Sequence, residues 1–180
     1  QFTFSPKTTL AEALKRIIQY LIGTKDQGYT LYQPSNINVD CYIDANFAGL
    51  WSSENKLDSS SVKSRTGFII LMGRAPVSWF SKLQTEITLS TFKAEYVALS
   101  TLMRELLHFL DVLTEICTGI SFTPTIDTNI KTTAWEDNAA CEKLSNMEHP
   151  HVTPRSKHFG IKYHWFLEKL VLKNISVILV

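Results

Sequence analysis

The stretch from Ser90 to Cys117 constrains the fold more than any other part of the chain. Leu99, Leu102, Leu106, Leu110 and Leu113 recur at helical spacing. A helix places them in one stripe, and Gly119 is a suitable stop. A long helix with a single apolar stripe needs a surface to cover, and the segments before it can supply one. Val39 to Phe47 alternates, with Val39, Cys41, Ile43 and Ala45 on one side and Tyr42 and Asp44 on the other. Gly67 to Met72 and Val77 to Phe80 read as a hairpin across Gly73-Arg74-Ala75-Pro76. Downstream, Thr132 to Glu136 is strand-like, Asp137-Asn138 opens another helix, a helix runs from about His158 to Leu172, and Ile175 to Val180 is a final strand. This order predicts an α/β fold, an antiparallel meander of three strands followed by αβ units.

Ahead of the meander, Leu10, Ala13, Leu14, Ile17 and Leu21 share one helical face between Pro6 and Gly23. Gly28 to Tyr32 is a short strand candidate, broken by Pro34-Ser35-Asn36. We therefore draw a boundary after residue 36, with an appended segment at 1–36 and one domain at 37–180. A length of 180 residues and a hydrophobic fraction of 44% support that domain with a real core. No apolar run approaches the roughly 18 residues of a membrane span, and no signal peptide opens the chain. The three cysteines, Cys41, Cys117 and Cys141, are odd in number and lack metal-type spacing, as expected for reduced thiols inside a cell. The chain begins Gln1-Phe2-Thr3 without Met and stops at Val180 within an apolar run; we expect it to be a piece of a larger product.

Three carboxylates stand at telling places. Asp44 lies within the first strand, Glu95 shares the helix stripe with Leu99, and Asp137 sits where the fourth strand gives way to a helix. In a strand-strand-strand-helix-strand layout, the first and fourth strands can lie side by side and bring their ends under the long helix. Converging carboxylates repel: at about 4 Å and an effective dielectric near 20, each pair costs on the order of 4 kcal/mol. Divalent cations remove that penalty, and hard oxygen donors suit magnesium. Such a site fits a two-metal phosphodiester hydrolysis. The residues also allow a plainer account, with Asp44 as a surface residue of its strand and Asp137 as a helix cap. Glu86, Glu105, Glu115, Glu136 and Glu142 read as solvated helix or loop acids.

The net charge of +1 conceals an asymmetry. From His149 to Lys173 there are five Lys or Arg against one Glu. This basic stretch suits phosphate contact through Arg155 and Lys157. Four of the five histidines, His149, His151, His158 and His164, fall there too, but their spacing fits no standard zinc site. Trp79 and Trp135 lie in strands and are expected in the core; Trp51, in the polar loop, is left open.

Several blocks carry a resemblance to a known family. Tyr42-Ile43-Asp44-Ala45-Asn46-Phe47-Ala48-Gly49 resembles the "D-A-D-W-A-G" block of copia-type LTR retrotransposon polyproteins. Ser64-Arg65-Thr66-Gly67-Phe68 is similar to their "S-T-S-G-Y", and Val77 to Gln84 to their "V-S-W-x-S-K-x-Q". Leu89 to Tyr96 resembles "L-S-S-T-E-A-E-Y", and Glu136-Asp137-Asn138 the "D-N-x-x-A" block. Thr153 to His158 with Tyr163-His164 resembles "R-T-K-H-I-D-I-x-Y-H", and Ala13 to Thr24 is similar to the "A-x-K-R-I-L-R-Y-L-K-G-T" that closes the reverse transcriptase. The blocks follow in one order along nearly the whole chain. Lys93 departs from the pattern, standing where the family has an acid, and so do Phe92 and Asn46.

The resemblance implies a ribonuclease H domain, an RNase H-like mixed sheet, preceded by the end of a reverse transcriptase. It implies hydrolysis of the RNA strand of RNA–DNA hybrids during reverse transcription, with Asp44, Glu95 and Asp137 as catalytic acids holding two magnesium ions, manganese being the alternative. Asp44 would bridge the ions, and Arg155, Lys157 and His158 would contact nucleic acid. The implied partners are the hybrid and the rest of the polyprotein, reverse transcriptase and integrase, with no membrane. The implied location is intracellular, a cytoplasmic virus-like particle or the nucleus. The family carries a fourth acid in an "A-D-I-L-T-K" helix after the last strand, so that helix is expected to be missing here. The competing reading is a decayed, inactive remnant with at most weak nucleic-acid binding. An integrase is disfavoured because the Glu stands between the two Asp residues, and polymerase activity because residues 1–36 are too few for fingers and palm.

Overall fold

The computed structural model describes residues 8–28, 38–53, 57–119, 130–147, 160 and 164–180. The chain divides into two compact units, Gln1–Leu31 and Tyr32–Val180. In the first, helix α1 spans Thr8–Gly23, as its apolar spacing and Gly23 predict. The strand expected at Gly28 to Tyr32 lies outside the described residues except for Gly28.

The second unit is a five-stranded mixed sheet built from β1 (Asn38–Asn46), β2 (Arg65–Met72), β3 (Ala75–Leu83), β4 (Lys131–Glu136) and β5 (Ile175–Leu179) in the order β3-β2-β1-β4-β5. The first three strands form the antiparallel meander, whereas β4 joins β1, and β5 joins β4, in parallel. Parallel neighbours need a crossover, and α2 (Thr91–Gly119) provides it between β3 and β4. Two shorter helices, α3 (Ala139–Ser145) and α4 (Leu167–Leu172), lie on the path from β4 to β5. The fold is α/β and RNase H-like.

The core forms where the two expected periodicities meet. Val39, Cys41, Ile43 and Ala45 of β1 are buried, alternating with solvent-facing neighbours. Leu99, Leu102, Leu106 and Leu110 of α2 are buried with them, while Leu113 is partly buried against the same cluster. Tyr96 and Phe166 complete this layer, both fully buried.

Three local expectations need correction. The hairpin turn is two residues long, Gly73 and Arg74, with φ of 55° and 72°. Positive φ at both central residues matches the right-handed twist of the flanking strands, which lets β3 begin at Ala75. Pro76 is tolerated inside β3 because that strand is at the sheet edge, and the register slips beside it, between Ile70 and Leu71. Trp79 is 74% exposed rather than buried. Its partner across the strands is Ile69, on the face opposite α2, so strand membership alone did not decide its burial. Trp135 is half-buried on that same face, stacked on Tyr42 at 6.2 Å between ring centres and donating its Nε1–H to Asp40 at 3.0 Å. Finally, the helix expected from His158 to Leu172 is interrupted: Gly160 is helical and its carbonyl accepts the His164 N–H at 2.8 Å, residues 164–166 form a bend and turn, and helix resumes at Leu167.

Leu102 is fully enclosed between α2 and the sheet. Leu102→Ala is expected to lower the unfolding free energy by about 2–5 kcal/mol through lost burial and a residual cavity. Urea denaturation followed by far-ultraviolet circular dichroism measures it, and a loss below about 1 kcal/mol would contradict the packing described.

Candidate functional site

The parallel pairing of β1 with β4 ends at Tyr42 opposite Trp135. Beyond it, β1 continues to Asn46 without β4 beside it, while β4 ends at Glu136. Asp44 and Asp137 are therefore delivered to the same end of the sheet by two adjacent strands. Glu95 comes from above, on the first turns of α2, where its own stripe turns it toward the sheet.

Several contacts hold that helix end in place. Ser90 caps it, its Oγ accepting the Lys93 N–H at 3.3 Å. The buried Gln84, just past β3, donates from Nε2 to Thr66 Oγ1 at 3.0 Å and to the Ala94 carbonyl at 2.9 Å. One amide thus ties β2 to the residue before Glu95. Ser64 and Thr88 share a buried hydroxyl contact of 2.8 Å nearby. On the other side, the Tyr96 hydroxyl meets His164 Nδ1 at 2.6 Å. His164 is thus engaged as a hydrogen-bonding partner of the core; burial lowers its pKa and favours the neutral ring. His149, His151 and His158 lie outside the described residues, as do Arg155 and Lys157.

The β4–α3 corner frees Asp137. Its expected alternative role was to cap α3, but Asn138 does that, its side-chain oxygen accepting from Ala140 N at 3.1 Å and Cys141 N at 3.0 Å. Asp137 is left exposed.

The structure brings Asp44, Glu95 and Asp137 together, with one oxygen from each lying within 4.8 Å of the others. Asp44 and Asp137 are exposed, whereas Glu95 is only 4% accessible. Its carboxylate accepts the Ala45 N–H, yet Oε2 has no hydrogen-bond partner among the described residues. Burial pushes the Glu95 carboxyl up to about 8, and the charges of Glu136, Asp137 and Asp44 push in the same direction. The Ala45 N–H opposes them.

Glu136 corrects the expectation of a solvated acid: it is 0% accessible. Its Oε1 accepts the Asn138 N–H at 3.2 Å, the Cys141 thiol also donates to it, and Oε2 has no partner among the described residues. Burial raises this carboxyl to about 7. Strand alternation puts Glu136 on the same face of β4 as the buried Thr132 and Ala134. That rule, applied to Thr132 to Glu136, was the available signal. Cys141 beneath it is an inert thiol, held well above its ordinary pKa by burial first and by Glu136 second.

Raised carboxyl values set the sign of a pH dependence. Both acids keep their protons in the folded state at pH values where the unfolded chain has released them. Stability is therefore full below about pH 4.5 and is lost as pH rises toward 7 for Glu136 and 8 for Glu95. The metal-free protein is expected to lose melting temperature progressively across that window, with Glu95→Gln flattening most of the slope. Differential scanning fluorimetry in chelated buffers from pH 5 to 8.5 checks this; a wild-type profile rising across the range would refute it.

No family model matches the sequence. The Pol polyprotein of transposon RE2 from Arabidopsis thaliana is 29% identical over 178 residues, covering 99% of this chain and 11% of that protein. The one from transposon TNT 1-94 of Nicotiana tabacum is 28% identical over 178 residues, covering 99% of the chain and 12% of that protein. The chain thus spans only a small part of the length of the curated relatives it matches. Among solved structures, LC11-RNase H1 isolated from compost aligns at a TM-score of 0.52 with 15% identity, covering 79% of this chain and 84% of that one. At that identity the likeness speaks for the fold alone. Over nearly its whole length, and on a sheet of RNase H type, the chain is thus similar to the copia-type, retrovirus-related Pol polyproteins.

Proposed function

We propose that the domain at 37–180 hydrolyses the RNA strand of RNA–DNA hybrids during retrotransposon reverse transcription. The observation that carries this reading is the convergence of three carboxylate oxygens within 4.8 Å, delivered by β1, α2 and the end of β4. The donor set fits a divalent cation. All three donors are hard oxygens, and the Glu95 Oε2 is buried without a partner. Asp44, Glu95 and Asp137 would hold it. Two magnesium or manganese ions bound there would supply charge neutralisation at the scissile phosphate and a readied water.

The chain's own contribution is positioning and charge. Asp44 and Asp137 stay open to solvent at the mouth, where a phosphate can approach, while Glu95 closes the inner side. Gln84 and the Tyr96–His164 contact fix the first turns of α2, so that Glu95 cannot retreat into water. Selection of the RNA strand calls for recognition of its 2′-hydroxyls and backbone. We assign phosphate contact to the basic stretch with Arg155, Lys157 and His158. Residues 1–36 are read as the end of the reverse transcriptase, and the remaining partners as the other parts of the polyprotein. Among the described residues no helix is long and apolar enough to cross a membrane.

A cleavage assay on a hybrid with a labelled RNA strand, with magnesium or manganese, tests the reading. The chain is expected to cut the RNA and not a matching DNA duplex, and Asp44→Asn is expected to reduce cutting to background. No cleavage by the chain or by a version lengthened beyond Val180 would favour a decayed remnant.

A further inference from the structure

Ala48 has a φ of 45°, a left-handed backbone that a residue with a Cβ keeps only where its surroundings hold it. It stands in the turn that follows β1, beyond Asp44 on the same chain segment. On its N–H side the hold is a side chain, for the Ala48 N–H donates to Ser64 Oγ at 3.3 Å. Ser64 immediately precedes β2 and is fully enclosed. The β1–β2 ladder ends at Asn46 opposite Arg65, so this bond attaches the two segments past the end of the sheet. The same hydroxyl lies 2.8 Å from the Thr88 hydroxyl, on the connection that leads to the Ser90 cap of α2. The Ser64 carbonyl accepts the Gln84 N–H at 2.8 Å, and Gln84 reaches on through Nε2 to the Ala94 carbonyl, adjoining Glu95. One enclosed serine therefore joins the turn after Asp44 to the segment that enters Glu95.

Stability alone does not call for this arrangement. Exchanging a buried hydroxyl pair for apolar groups of the same shape is close to neutral in folding free energy. Hydrogen bonds differ from apolar packing in fixing distance and direction, and here they do so between two segments that each carry an acid. We propose that Ser64 is a positioning residue of the carboxylate site, a brace that sets the separation between the end of β1 with Asp44 and the start of α2 with Glu95. Ser64 acts through the backbone on either side, by way of Ala48 and of Thr88 and Gln84. The inference rests on the cation-binding half of the function proposed above. Carboxylate oxygens that share a cation respond to a small change in their spacing, whereas a sheet and a long helix packed on it do not.

The test compares the wild-type 180-residue chain with Ser64→Ala, Thr88→Val and the double variant. Ser64→Ala removes the hydroxyl at little change of volume, and Thr88→Val removes its partner at no change of shape. Each chain, shown to be folded by circular dichroism, is titrated calorimetrically with manganese chloride and assayed on a labelled hybrid at saturating manganese. Ser64→Ala is expected to weaken manganese binding and to lower kcat by about tenfold each, with KM for the hybrid within about twofold of wild type. Thr88→Val is expected to lose in the same direction, and the double variant to lose no more than Ser64→Ala, since the two hydroxyls act as one unit. Ser145→Ala, which removes a buried hydroxyl bonded to the Cys141 carbonyl, is expected to bind manganese as wild type does. Manganese affinity of folded Ser64→Ala within about twofold of wild type would overturn the brace and leave the nuclease reading standing. Should Ser64→Ala fail to fold, unchanged manganese affinity in Thr88→Val would overturn it equally. A wild-type chain that takes up no manganese would overturn both readings. Weakened binding in Ser64→Ala, with no hybrid cleavage by wild type, would support the brace and remove the nuclease alone.

Discussion

Glu95 keeps a carboxylate out of water beside other carboxylates, and the arrangement of the whole sheet end follows from what that requires. A buried charge is tolerated only when something compensates it. Among the described residues the compensation is the backbone N–H of Ala45, on the part of β1 that runs beyond β4. This donor is available because β1 outlasts its parallel neighbour. A longer β4 would use up the edge of β1 at that point in sheet hydrogen bonds. The staggered strand ends thus make room for the site and give the inner acid its anchor.

Topology explains why these acids are distant in sequence and adjacent in space. A hairpin cannot place two strands in parallel, so the crossover through α2 is obligatory between β3 and β4. The helix that makes the crossover also carries Glu95 on its buried face. One connection therefore satisfies the chain path, covers the core and supplies the central acid. Parallel register then sets the remaining geometry, since Tyr42 opposite Trp135 leaves Asp44 and Asp137 each two residues further along.

The readable and unreadable parts of this structure divide along physical lines. Periodicity revealed β1 and α2 because each has one wet face and one dry face, which writes a pattern into the sequence. The same pattern located Asp44 at a strand end and Glu95 among leucines, and the strand-to-helix change located Asp137. Glu136 escaped because it continues the buried alternation of Thr132 and Ala134 with an acidic side chain, so that its polarity does not track its exposure. Trp79 misled for the complementary reason: a large aromatic on an edge strand can face outward at modest cost, since folded surfaces are rich in apolar atoms. Gln84 was seen only as a letter in a resembling block, and its bond to Ala94 depends on the close approach of β3 to the helix start, which no local pattern encodes.

Those hidden contacts bear directly on how the acids stay together. Like charges at this distance favour any motion that separates them, and the cheapest is unwinding of the first turn of α2, which would let Glu95 reach water. Helix ends fray readily because their first N–H groups lack partners. Here the end is secured at three points: the Ser90 cap, the Gln84 bond to the Ala94 carbonyl, and the Tyr96 hydroxyl on His164. Two of these attach to the residues on either side of Glu95. With the helix start held at these points, a proton or a cation at the carboxylates themselves would relieve the repulsion.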